Sequence, residues 1–306
     1  MSSGALSTDY LLMIITAILT GTIARWLVLK EDYRQYPSYP NGYLIHLVTG
    51  FVAASLGAVA LPALLTKNFV AVTFLTLAIQ QFRDVRKMEK SSMKDLENTE
   101  FTHRGDAYID GIAKTFEARN YFALLVSLSA SIGYAVTDYI LDVGVVKLVV
   151  SVAVGFLVFY LLKRFSKGKV IQDIATVEPG AISIREDQLY VNDIFVSNLV
   201  GSDVAQDFLQ KEGLAVVIRP KEQHYRIALD NYGQRQAILF EVTRALGVRR
   251  YAFTRKQFTT GEIAIAIAPI LQDSGAMAEV VKNTPLLENT RKSHAMMQTN
   301  LVGEES

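Results

Sequence analysis

The chain has 306 residues, half of them hydrophobic (50%), and sets 31 Lys and Arg against 30 Asp and Glu for a formal charge of +1. That balance gives no purchase on nucleic acid, and the absence of cysteine excludes disulfides, thiolate metal sites and cysteine nucleophiles. Four scattered histidines (His46, His103, His224, His294) without HExxH spacing lead us to expect neither a metal centre nor a cofactor.

The apolar residues are concentrated before residue 165, in runs long enough for a bilayer. Residues 10–29, "YLLMIITAILTGTIARWLVL", are interrupted only by Arg25 and predict a first, uncleaved span, since no basic region precedes them. Residues 43–65 predict a second, with Gly50, Ala54 and Ala58 at the small-xxx-small spacing of close helix packing. The run 69–79, "FVAVTFLTLAI", is short for a span. A crossing over 66–82 nevertheless follows if the basic segments around Lys30 and Arg34, within 83–119, and at "KRFSKGK" all lie on the cytoplasmic side. Spans at about 121–141 and 145–163 then form a hairpin, with Asp138 and Asp142 at its outer turn and Lys147 able to pair with one of them. The expectation is a five-helix polytopic bundle over 1–164, N-terminus out and C-terminus in, in the cell membrane. Ile79, Phe82, Val85 and Met88 have helical spacing, so the third span should continue into the cytoplasm as an amphipathic helix, part of a charged segment over 80–118.

From 165 to 292 the pattern becomes that of a water-soluble α+β domain, ahead of a tail at 293–306 expected to lack order. "GAISIREDQLYVNDIFV" reads as strand, turn, strand; "GSDVAQDFLQKEG" as a helix capped by Ser202 or Asp203 and stopped by Gly213; "LAVVIRP" as a buried strand. "HYRIALD" reads as a strand, "YGQRQAILFEVTRALG" as a helix, "GEIAIAIAPI" as a strand, and 274–291 as a last helix. From "LYVNDIFV" onward that order is β-α-β-β-α-β, the ferredoxin-like pattern. The turn "DNYGQRQA" leads into a helix N-terminus, where Gln234, Arg235 and Gln236 could line an anion or ligand site, or where an Asp or Asn simply caps a solvated first turn.

Several uncommon strings carry a resemblance. "YIDGIA" at 108–113 resembles the motif that names the YIEGIA family, membrane proteins of endospore-forming bacteria, with Asp110 in place of its Glu. "DYRQYPSYPNGY" (32–43), "QQFRDVRKMEK" (80–90), "FEARNY" (116–121) and "GQRQAI" (233–238) are similar to family sequence as well. The resemblance implies a sporulation-linked membrane protein with a small soluble capping partner, and hence a regulated activity, proteolysis among the options.

On a helix, Asp106, Asp110, Lys114, Glu117 and Tyr121 share one stripe, while Tyr108, Ile112 and Phe116 share an apolar one. The charged stripe is either an exposed i,i+4 ladder or the face that meets Arg34, Arg83 and Arg86, with Arg119 nearby. An aspartyl protease needs two carboxylates in contact. Asp110 and Asp138 on one helix would be about 40 Å apart, which leaves Asp84 with Asp106 or Asp110 as candidates. A serine mechanism would draw on Ser55, Ser127, Ser129 or Ser131 with His46, residues that otherwise serve packing and hydrogen bonding.

The leading expectation is therefore an integral membrane regulatory protein binding a small soluble capping-type partner at its cytoplasmic face. The alternatives are a membrane-embedded protease held inactive by that partner, and an ion channel or transporter. Beyond the bilayer and that partner, a second copy of the chain is a further candidate partner, and nucleic acid is not.

Overall fold

The computed structural model describes residues 8–35, 40–141, 143–198, 200–288 and 290. By contacts the chain divides into two compact units, one of residues 1–91 and 112–167, the other of residues 92–111 and 168–306.

The first unit is helical: α1 (Thr8–Gln35), α2 (Pro40–Leu65), most of α3 (Phe69–Glu97), most of α4 (Asp106–Ile140), and α5 (Gly144–Ser166). Four of these are long and apolar enough to cross a membrane, at Thr8–Leu29, Tyr43–Leu65, Asp106–Ile140 and Gly144–Ser166. The expected third crossing, 66–82, is not among them, because the apolar run opening α3 gives way within three turns to Gln80, Gln81 and Arg83. As expected, α3 continues without a break to Glu97.

Small residues make up much of the bundle interior. Ala17, Ala24, Ala53, Ala54, Ala58, Ala123 and Ala130 are buried, and a Cβ on Gly57 would collide with the Leu124 carbonyl oxygen. At that spacing serines reach the backbone of a neighbouring helix. Ser127 Oγ donates to the Ala54 carbonyl at 2.6 Å, Ser131 Oγ to that of Ala58 at 3.3 Å and Ser151 Oγ to that of Ala130 at 2.9 Å. The large apolar side chains of α1, α2 and α5, such as Leu19, Phe51 and Leu157, point outward, the arrangement that suits lipid rather than water. Where α4 gives way to α5, buried Lys147 pairs with Asp138.

The second unit contains a four-stranded antiparallel sheet in the order β1-β5-β7-β6 and a three-stranded meander, β2-β3-β4. The strands are β1 (Ala175–Gly180), β2 (Ile182–Arg185), β3 (Gln188–Val191), β4 (Ile194–Ser197), β5 (Leu214–Pro220), β6 (Ala252–Lys256) and β7 (Ile263–Ile267). The helices are α6 (Ile171–Ile174), α7 (Asp203–Glu212), α8 (Tyr225–Asp230), α9 (Tyr232–Leu246) and α10 (Ser274–Asn283). Strand β7, "IAIAI", is buried along its whole length. Its period of two sends Ile263, Ile265 and Ile267 into a core with α8, α9 and α10, and Ala264 and Ala266 into a second core with Leu189, Val191, Ile194 and Val196 of the meander. Alanine on that face leaves room for the meander's larger side chains. The unit is thus three layers, helices on sheet on meander.

Several expectations need correction. "HYRIALD" is helix α8 rather than a strand: its adjacent Ala228 and Leu229 are both buried in one core, whereas a strand would turn them to opposite faces. The strand "AFTRK" (β6) was not foreseen. The sheet order that results is not the ferredoxin-like β-α-β-β-α-β, because "LYVNDIFV" is the β3–β4 hairpin of the separate meander, turning at Asn192 with φ +55°. The last helix stops at Asn283, just before Thr284 and Pro285, where proline forbids its continuation.

Candidate functional site

The charged stripe expected over 83–119 is shared between the two units, and its members have different surroundings in each. In the helical unit, Arg86 Nη1 lies 3.2 Å from Glu117 Oε2, and the Tyr121 hydroxyl, beside Arg83, donates to Glu117 Oε1 at 3.4 Å. Phe82 meets the Tyr121 ring edge-on at 5.7 Å. The meeting of arginine and carboxylate considered from sequence is therefore made by Arg86 and Glu117. Asp84 is more than half exposed and pairs with Lys87 at 3.4 Å on its own helix. Lys114 and Arg119 are half-buried on α4. Arg34 lies in the last turn of α1, but its side chain is outside the described residues, as is Asp142.

Deeper in the same unit, Arg25 is 1% exposed, and its aliphatic stem lies against Gly50, where a Cβ would collide with it. His46 stacks on Phe116 with ring centroids 4.9 Å apart and planes 10° from parallel. Ser55, Ser127 and Ser131 direct their hydroxyls at backbone carbonyls.

In the second unit, residues 92–111 pack on α9. The segment leaves α3, turns at Gly105 with φ +85°, a conformation that favours glycine, and enters α4. Glu97 Oε1 accepts from the Gly105 N–H at 2.6 Å, and Lys94 pairs with Asp106 at 2.7 Å, so the carboxylates sit at the helix N-terminus where the macrodipole favours them. That hydrogen bond and charge raise the Lys94 ammonium above its usual range. Tyr108 is 3% exposed; its hydroxyl donates to Glu241 Oε1 at 2.5 Å and its ring meets Phe240 edge-on at 6.3 Å. Arg104, equally buried, places its guanidinium 4.9 Å from the centre of the Phe240 ring and pairs with Glu100 at 3.0 Å. Thr102 and Thr243 share a 2.5 Å hydrogen bond, and Gln236 Nε2 donates to the His103 carbonyl at 2.9 Å. The segment that leads into "YIDGIA" and the helix that carries "GQRQAI", far apart in the chain, therefore pack together.

The other glutamine of that second string is equally committed. Gln234 is fully buried; its amide donates to the Pro285 carbonyl at 3.0 Å and accepts from the Leu287 N–H at 2.8 Å. Asn231 caps α9 by accepting from the Gln234 N–H at 3.1 Å, and Arg235 lies over the Tyr232 ring at 5.8 Å. The three residues considered for an anion site thus hold the segment after α10, a neighbouring ring and the 92–111 segment. Asp110 is half-buried on α4, two residues beyond Tyr108.

Sequence reasoning placed Tyr108, Ile112 and Phe116 on one apolar stripe, and all three are buried. It missed the Tyr108 hydroxyl's partner and the roles of Arg104 and Gln234. For Gln234 the available signal was the string "GQRQAI" itself, three polar residues in a row in a helix that must bury one face.

Four apolar helices joined to an α/β unit define a membrane-associated protein with a sizeable extramembrane domain. The chain matches the family described as YIEGIA protein over residues 13–297, and it belongs to that family. It is 35% identical over 289 residues to "Uncharacterized protein YphB" of Bacillus subtilis (strain 168), covering 92% of this chain and 94% of that one. No solved structure matches.

Proposed function

We propose that this chain is an integral membrane regulatory protein whose α/β unit, together with the packed 92–111 segment, binds a small soluble capping-type partner on the cytoplasmic side, in a process tied to sporulation. The observation that carries this reading is the surface of residues 92–111. With Tyr108 and Met93 turned inward, Phe101 and Leu96 stand exposed beside Asp95, Lys94 and Asp106, a mixed apolar and charged surface of the kind protein partners use. The positive charge of 83–119 and of "KRFSKGK" supports the cytoplasmic assignment, and the same parity supports a fifth crossing by the opening turns of α3.

Because the chain has no cysteine, single cysteines at Leu96 and Phe101 can carry a photocrosslinker in the native membrane. The expected product is one adduct of small, constant mass at both positions, lost from the Leu96→Cys chain when Phe101→Asp is introduced. Crosslinks only to lipid, or a scatter of unrelated masses, would reject the reading. Thiol-labelling of Asn68→Cys from outside the cell tests the fifth crossing, since with 83–119 cytoplasmic that turn is external only if α3 spans.

A further inference from the structure

The turn between β6 and β7 is built to present an aromatic ring. Gln257 N–H donates to the Glu262 carbonyl at 2.8 Å and Gly261 N–H to that of Gln257 at 2.9 Å, closing a tight loop around Gly261 at φ +74°. Arg226 of α8 reaches across and donates through Nη2 to the carbonyls of Phe258 at 3.3 Å and Thr259 at 2.7 Å. A side chain at 261 would strike Arg226 Nε, so the glycine provides both the backbone angle and the room for the guanidinium. The backbone of the tip is thereby pinned, yet the Phe258 side chain it carries is 73% exposed.

Beneath the tip is a cleft of about 170 Å³ lined by Arg226, Ile227, Asp230, Lys256, Phe258 and Ile263, among others. Its two cations outnumber its one carboxylate. Lys256 pairs with Asp230 and holds its ammonium 5.0 Å from the Phe258 ring centre, while Ile227 adds exposed apolar surface at the rim. An aromatic ring and an aliphatic side chain beside a net positive charge match a bilayer surface, where rings sit at headgroup depth and cations meet anionic phosphates. The unit follows a candidate membrane span after four residues, α5 ending at Ser166 and α6 beginning at Ile171.

We infer that this cleft is a binding site for the phosphate headgroup of an anionic phospholipid, with Arg226 and Lys256 taking the phosphate and Phe258 entering the interfacial layer beside it. Phosphate binding displaces Asp230 from Lys256 and leaves the Arg226 bonds to the tip in place.

The test uses the full chain with Thr259→Cys, labelled with the environment-sensitive fluorophore NBD and reconstituted in phosphatidylcholine vesicles with increasing phosphatidylglycerol. The expected result is a blue shift and gain of emission that grows with phosphatidylglycerol. Phe258→Ala should abolish it, and Lys256→Gln should raise the phosphatidylglycerol fraction at half-effect by about fivefold, the weight of one cation at such a surface. Three results overturn the assignment. One is emission indifferent to lipid charge. Another is an equal response to soluble glycerol phosphate in detergent, which would make the ligand a free phosphate. The third is a response seen only in native membranes and in no vesicle, which would make the occupant a protein.

Discussion

The two units differ in where they put their large apolar side chains. The helical unit buries a run of alanines, with Leu29, Val126 and Phe159 among them, yet turns most of its leucines and valines outward; the α/β unit fills its core with Ile263, Ile265, Val216 and Leu229. In water, burying a large aliphatic side chain is itself the driving force, about 1.5–3 kcal/mol each. In a bilayer that difference vanishes, and helices associate through close backbone approach and hydrogen bonds between helices. Identical substitutions should therefore have different consequences in the two units.

The largest effect is expected in the α/β core. Ile265→Ala, in the middle of the buried strand, should cost about 2–5 kcal/mol, read as accelerated proteolysis of the 168–288 region in the purified chain. A similar truncation at Leu19, outward-facing on α1, should leave the bundle's stability almost unchanged; an equal loss there would break the contrast.

Next comes the packing of residues 92–111 on α9. Tyr108→Phe keeps the ring on Phe240 but removes the donor to Glu241, a charged hydrogen bond worth about 1.5–3 kcal/mol. Hydrogen exchange in 98–105 should rise while β5 and β7 stay protected. Gly57→Ala brings the comparison back to the helical unit. The added Cβ meets the Leu124 carbonyl oxygen, so α2 and α4 must separate, at about 1–3 kcal/mol, visible as earlier loss of tertiary structure in an SDS titration. Ser127→Ala removes one hydrogen bond between helices and should cost about 0.6 kcal/mol in the same titration. Asp84→Ala, at an exposed pair on one helix, should stay below about 0.5 kcal/mol; a large loss of function with that variant would revive the carboxylate reading.

Much of this was legible in the chain. Apolar runs and their charged ends located the helices at 8–29, 43–65 and 144–166, since bilayer thickness sets a length that sequence can match. The buried strands β5 and β7, helix α7 and the capped helix α9 were legible too, each being signalled by residues within a few positions of one another, although the Ser202 side chain that precedes α7 makes no cap hydrogen bond. Segment 225–230 was misread because "YRIALD" is short enough to suit either period, and only the core beneath it selects between them. The residues of the charged stripe do fall on one helix, α4, but their partners were not legible, because spacing shows which residues share a helix face and not what lies opposite.

What the sequence by itself determined, then, is the division into an apolar half and a mixed half, the helices of the first, and the family to which the strings "YIDGIA" and "GQRQAI" point. The tertiary structure alone decided that Tyr108 meets Glu241 across 133 residues, that Gln234 serves the backbone after α10, and that Phe258 is held outward by Arg226. The reason is physical: periodicity and capping are local, whereas the partner of a buried hydroxyl or amide is supplied by whichever distant segment the packing brings against it.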